Sequence, residues 1–199
     1  KQVIDDLGIP LRLARRRYSS YTPVPGTDRG LLIDNGDPAA TRASFASIGA
    51  AADVDGFASV YDRTGAAARA LFPTLTDPLP TQAQAKELVG ADWTALIERP
   101  IAELIEASVA DDLVRGVIAT DGLIGTYASM NDASLEQNRC FLYHVIGGGT
   151  GDWDVPIGGM GVVSTSLEGT ARAAGATIIT GAEVTALTPD GELTWRHRD

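Results

Sequence analysis

Thiol chemistry is almost missing from this sequence: Cys140 is its single cysteine, so an internal disulfide is excluded. In an apolar helical stretch such a thiol reads as a small core residue. Basic residues are also scarce, 16 against 26 acidic ones, and the formal net charge of -10 repels phosphate backbones and anionic headgroups. Nucleic acid is therefore not an expected partner, and the one basic run, Arg15 to Arg17, reads as a solvated strand end. No apolar run is long enough to cross a bilayer and the start carries no signal-peptide pattern, so no transmembrane segment and a cytoplasmic location are expected. Two histidines, His144 and His197, with one cysteine are too few for a structural zinc site, and no metal is expected.

The motifs of self-contained catalysis are missing as well. No G-x-S-x-G elbow is present, and no glycine cluster is followed by the lysine and hydroxyl residue of a phosphate loop. A G-x-G-x-x-G fingerprint follows no strand; Gly159-Met-Gly161 comes near it, but Ser164 stands where the third glycine belongs. His144 lies one helical turn after Cys140, which allows a Cys-His pair, and Asp121 with Asp132 makes a carboxylate pair only if the segment between them folds back. Gly147 to Gly151 reads as a helix exit rather than an anion cradle. No catalytic residue is assigned. Beginning at Lys1 without an initiator methionine and closing inside a predicted strand at Trp195 to Asp199, the chain is expected to be an excised piece.

What is present is a pattern of short strands, then helices. Val3 to Leu7 reads as a helix tail stopped by Gly8; Leu11 to Arg17, continued by Tyr18, Tyr21 and Val24, reads as a half-buried strand that turns at Pro25-Gly26 to meet Leu31 to Ile33. Asp37 before Pro38 is a helix start, and two alanine-rich helices follow, broken near Gly49 to Asp53. Thr81 to Gln84 has capping-box spacing; Asp92, Asp111 and Ser134 are the further predicted caps, and Pro100 starts a helix.

The most ordered stretch runs from Gly158 to Leu187. Gly158, Gly159 and Gly161 bend the chain, a helix with capping-box spacing at Thr165 to Glu168 follows, and Gly175 ends it. Ala176 to Thr180 and Val184 to Leu187 are predicted strands, and Pro189-Asp-Gly191 turns into Leu193 to Arg196. GGMG, a helix, the GA-x-I-x-x-G strand and E-V-x-x-L resemble the return segment of FAD-dependent oxidoreductases of the phytoene dehydrogenase and amine oxidase type, with the closer match to the phytoene dehydrogenase-like branch. Asp121 to Gly125 with Tyr127, and Tyr143 to Gly147 followed by Trp153, fit the same branch.

The resemblance implies an α+β chain: a small antiparallel or mixed sheet with a helical layer over residues 1–157, the substrate-binding or cap domain, and a returning αββ piece of the FAD-binding domain over 158–199. It implies a full-length enzyme that dehydrogenates an apolar substrate by hydride transfer to FAD, while this fragment alone is inactive and does not hold FAD tightly. Its further partners are then the missing amino- and carboxy-terminal parts of its own chain. Gly159, Met160 and Gly161 match the turn that approaches the flavin, Val184 the strand position meeting the adenine, and Gly122, Gly125, Tyr127 and Trp153 are candidates for the substrate cavity. The rival readings are an amine oxidase-like flavoprotein fragment and a non-catalytic helical protein-interaction module.

Overall fold

Aspartate caps, hydroxyl caps and glycine stops punctuate this chain. The computed structural model describes residues 2–147 and 153–197, so most of the Gly147 to Gly151 stretch and the last two residues lie outside the described part. The chain runs α1 (Gln2–Asp6), β1 (Leu13–Arg15), β2 (Tyr18–Pro23), β3 (Gly30–Asp34), α2 (Pro38–Ser47), α3 (Val54–Leu71), α4 (Gln82–Val89), a π-helical turn (Thr94–Glu98), α5 (Ile101–Ser108), α6 (Asp112–Leu123) and α7 (Glu136–Val145). It continues through β4 (Asp154–Pro156), α8 (Gly161–Ala173), β5 (Ala182–Leu187) and β6 (Leu193–His197). The class is α+β. Among the described residues no helix is long and apolar enough to cross a membrane.

The strands pair as small two-stranded ribbons, β1 with β4, β2 with β3 and β5 with β6. The predicted strand from Leu11 onward splits after Arg15, and its second half, β2, pairs antiparallel with β3, Tyr21 opposite Leu32 and Pro23 opposite Gly30. Two strands alone are marginal in water, and α2 supplies what the hairpin lacks. Ser44 Oγ accepts from Leu32 N at 2.6 Å and donates to Gly30 O, while Thr41 Oγ1 accepts from Asp34 N at 2.9 Å and donates to Asp34 O. Side chains of a helix thus satisfy backbone groups of β3 that a third strand would otherwise pair.

The chain divides into two compact units, residues 14–155 and residues 1–13 with 156–199. Residues 1–13, expected with the first domain, group with the returning segment instead. The larger unit holds a continuous apolar core. Leu31, Phe45, Val60, Leu96, Ile101, Ile118 and Phe141 pack together there, most of them fully shielded from solvent. Buried polar groups link its helices. Asn138 Oδ1 accepts from Ile101 N, and its Nδ2 donates to Leu96 O and Arg99 O, at 2.7–3.0 Å. Asp53, also buried, accepts from Ala110 N and Asp111 N.

Several predicted caps form. Asp37 accepts from Ala39 N and Ala40 N with Pro38 at the first helical position, Thr81 and Gln84 make a reciprocal capping box, and Asp111 accepts from Leu113 N and Val114 N. Others do not, because a nearby partner competes for the side chain. Asp92 pairs with Arg63 at 2.6 Å instead of capping, and the segment after it is the π-helical turn, tied by Glu98 to Trp93 Nε1 and Thr94 Oγ1. These donors hold the Glu98 carboxyl below its usual range. Leu135, in the left-handed region at φ 59°, precedes α7, and the buried Gln137 turns to Met130 O and Asp132 O rather than closing a box with Ser134. In α8 the Thr165 hydroxyl donates back to Gly161 O and Glu168 pairs with Arg172, so that spacing makes no box either.

In the smaller unit Gly175, at φ 93°, ends α8 as expected, and β5 and β6 pair antiparallel across the Pro189 to Gly191 turn. The predicted strand Ala176 to Thr180 has no ladder: no strand pairs with it among the described residues. None of the residues of α8, β5 or β6 is buried.

Candidate functional site

Four elements of the larger unit turn one face each toward a common space. On α3 the side chains Phe57, Tyr61 and Thr64 recur at helical spacing, and on α6 Val117, Thr120, Asp121 and Ile124 do the same. His144 and Val145 at the end of α7 and Ser19, Ser20 and Thr22 on β2 complete the enclosure, with Arg15, Arg16 and Trp153 also lining it. The cavity measures about 580 Å³. That volume lies within the range of small-molecule sites, and an apolar lining with a few convergent polar groups is what such sites share. Phe57 holds its place through an edge contact with Phe45, 5.3 Å between centroids, and a tilted one with Tyr61 at 4.8 Å.

Three titratable groups meet here. Burial pushes the Tyr61 phenol well above its usual range, with the Asp121 charge adding to the effect. Burial also raises the Asp121 carboxyl, opposed by His144. The imidazole is fixed on two sides: its Nδ1 lies 2.8 Å from Cys140 O, so the hydrogen sits on Nδ1 and is donated to that carbonyl, and the ring stacks on Trp153 at 5.9 Å and 9°. Trp153 Nε1 donates to His144 O at 3.4 Å, and the Arg16 guanidinium lies 6.0 Å over the indole. Arg16, Trp153 and His144 thus form a column along the cavity.

The Cys-His pair does not have the geometry of a nucleophile. Cys140 Sγ lies 3.7 Å from His144 Nδ1, but that nitrogen is already a donor to a carbonyl, and the thiol donates to Ile124 O. Burial and Asp121 raise the thiol pKa, the reverse of what an attacking thiolate needs. Asp121 and Asp132 are likewise not a pair: Asp121 faces the cavity, whereas Asp132 lines an open depression with Gly125, Tyr127, Arg139 and Cys140 and accepts from Ser134 N.

Of the residues singled out for substrate, Trp153 lies in the cavity. Gly125 and Tyr127 lie in the separate depression, Tyr127 fully exposed, and Gly122 is buried within α6 against Met130 and the Gln137 backbone. The structure does not bring these four together. Gly159, Met160, Gly161 and Val184 belong to the smaller unit, where Met160 is 72% and Val184 56% exposed, and none of the four lines the cavity or the depression. Gly158 and Gly159 take φ values of 100° and 87°, so the turn needs glycine there. Tyr61 and Phe57 carry no site signal in the sequence, and Arg16 reads there only as part of the solvated run Arg15 to Arg17, because no local spacing links α3 to the segment between β1 and β2. Among the described residues no group of three or more His, Cys, Asp or Glu side chains is placed to hold a metal ion.

No family model matches the chain. No solved structure matches it. Two uncharacterized proteins, one of Mycobacterium tuberculosis (strain H37Rv) and one of Mycobacterium bovis, are each 51% identical to it over 209 aligned residues. The match covers 100% of this chain and 38% of each relative, so the chain spans well under half the length of the proteins it resembles.

Proposed function

We propose that residues 14–155 are the substrate-binding part of a flavin-dependent oxidoreductase of the phytoene dehydrogenase-like kind, and that the smaller unit contributes to its FAD-binding domain. The observation that carries the reading is the cavity of about 580 Å³, walled by Phe57, Tyr61, Val117 and Ile124 and holding no nucleophile-base pair. A flavin takes the hydride itself, and the protein's tasks are to orient the substrate, keep its surroundings apolar and exclude water. Phe57, Tyr61, Val117, Ile124, Val145 and Trp153 supply the apolar part of the cavity lining. The GGMG turn, the helix after it and E-V-x-x-L support the flavin half of the reading.

The residues of the smaller unit do not by themselves fit FAD. A Cβ added at Gly159 or Gly161 would meet nothing within 4 Å, so the turn is open rather than a fitted cradle, and Val184 stands more than half exposed. FAD is accordingly proposed for the longer protein, with the pyrophosphate site supplied by chain beyond these residues, and no step is routed through it here. Exposed Leu167, Val184, Leu187, Leu193 and Trp195 are the surface this remaining chain would cover. The same surface is what an interaction module would present to a partner protein.

Visible absorbance decides between them. The longer protein, purified beside the 199-residue chain and supplied with FAD, is expected to be yellow while the shorter chain stays colourless. A longer protein that retains no flavin sinks the oxidoreductase reading and turns attention to protein partners.

A further inference from the structure

The cavity lining combines polar and charged groups, Arg15, Arg16, Ser19, Ser20 and Asn35 among them, with apolar ones, among them Phe57, Tyr61, Val117 and Ile124. In a chain with only 16 basic residues and a net charge of -10, three consecutive arginines stand beside it. Arg17 is committed elsewhere: its Nε and Nη2 bond both oxygens of Asp34 at 2.9–3.1 Å. Arg16 is placed differently. Its guanidinium lies over the Trp153 ring, and among the described residues no carboxylate pairs with it. A guanidinium resting on an aromatic face keeps its N–H donors at its edge, where they suit the two oxygens of a carboxylate. Beneath it, Trp153 is stacked on His144 and donates to its carbonyl. Ser19, Ser20 and Asn35 line the cavity too and supply neutral polar groups.

Phe57, Tyr61, Val117 and Ile124 belong to the apolar part of the lining. Asp121 also lines the cavity; burial raises its carboxyl pKa, with His144 opposing. A wholly apolar ligand would gain nothing from Arg16 and would have to strip water from it.

We propose that this cavity takes an amphipathic carboxylate with an extended apolar body, the carboxylate held by Arg16 over Trp153 and the body lying against Phe57, Tyr61, Val117 and Ile124. The proposal rests on the cavity being the substrate site and narrows the substrate class from apolar to acid-headed.

The test compares two fluorescent probes on the full chain, cis-parinaric acid and its uncharged methyl ester. The acid is expected to bind about tenfold more tightly than the ester, a difference of about 1.4 kcal/mol. Arg16→Gln is expected to bring the acid down to the ester's affinity and leave the ester unchanged, while Arg16→Lys keeps part of the preference. Thr120→Trp, at an exposed lining position, is expected to weaken both probes by occluding the space, with circular dichroism confirming that the variant folds. Equal binding of acid and ester, or a preference that survives Arg16→Gln, overturns the acid-headed ligand and leaves the cavity reading standing. If neither probe binds, or if a folded Thr120→Trp variant binds both as before, the cavity reading falls and takes the proposal with it.

Discussion

Asp34 shows how a single carboxylate organises a corner of this protein. It sits at the end of β3, is buried, and accepts from Arg17 Nε and Nη2 and from Gly36 N. The Arg17 hydrogen bonds, followed by the amide of Gly36, hold its pKa below the usual carboxylate value against the opposing effect of burial. A carboxyl whose folded pKa lies below its unfolded value stabilises the fold above the unfolded pKa, about 3.9, and loses that contribution as pH falls through the folded value. Asp34→Asn is therefore expected to lower the melting temperature between about pH 5 and pH 7, with the gap to wild type closing below about pH 4. Thermal melts of both proteins across that range check it, and a gap that stays constant down to the lowest pH is incompatible with the depressed pKa.

At the scale of elements, close approach between helices decides which glycines matter. Gly56, in the first turn of α3, faces the carbonyl of Ser108 at the end of α5, and a Cβ there would overlap that backbone oxygen. Gly116, inside α6, has nothing within 4 Å of an added Cβ. Alanine is favoured over glycine in a helix interior by up to about 1 kcal/mol, so Gly116→Ala is expected to stabilise by about 0.5–1 kcal/mol. At Gly56 the overlap involves backbone and outweighs that gain, and Gly56→Ala is expected to destabilise by about 1–3 kcal/mol. Denaturant midpoints measured on the pair test the packing directly; stabilisation by both substitutions would mean that α3 and α5 do not approach as described.

At the scale of the molecule, the two units differ in how much they bury. The larger has a shared core through its helices and the β2–β3 hairpin, whereas in the smaller one α8, β5 and β6 keep every residue at least partly exposed. Ala176 to Thr180 has strand composition and no ladder among the described residues. A strand needs a neighbour to pair with, and the proposed function places that neighbour in the rest of the longer protein. Hydrogen exchange is then expected to slow by about a hundredfold or more at the amides of Ile178 and Ile179 in the longer protein relative to the 199-residue chain. Equal rates in the two proteins count against a shared sheet.

The sequence by itself determined what is local. Asp37 with Pro38, Thr81 with Gln84, Asp111, the turn into β3 and the glycine after α8 act through neighbours a few residues away, so their chemistry is written in short spacings. The α+β class followed from the same signals. Only the tertiary structure decided the fate of Asp92, drawn to Arg63 twenty-nine positions away, and of Asp53, which accepts from Ala110 and Asp111. It also decided the cavity. Arg16, Tyr61, Asp121 and His144 come from the segment between β1 and β2 and from three helices far apart in the chain, and no spacing rule joins them. Trp153 was singled out and lies there, whereas Gly122, Gly125 and Tyr127 do not line the cavity, because the fold turns Tyr127 to solvent and packs Gly122 under Met130. Local chemistry sets where helices start and stop; which faces then enclose a common space depends on packing that no short stretch encodes.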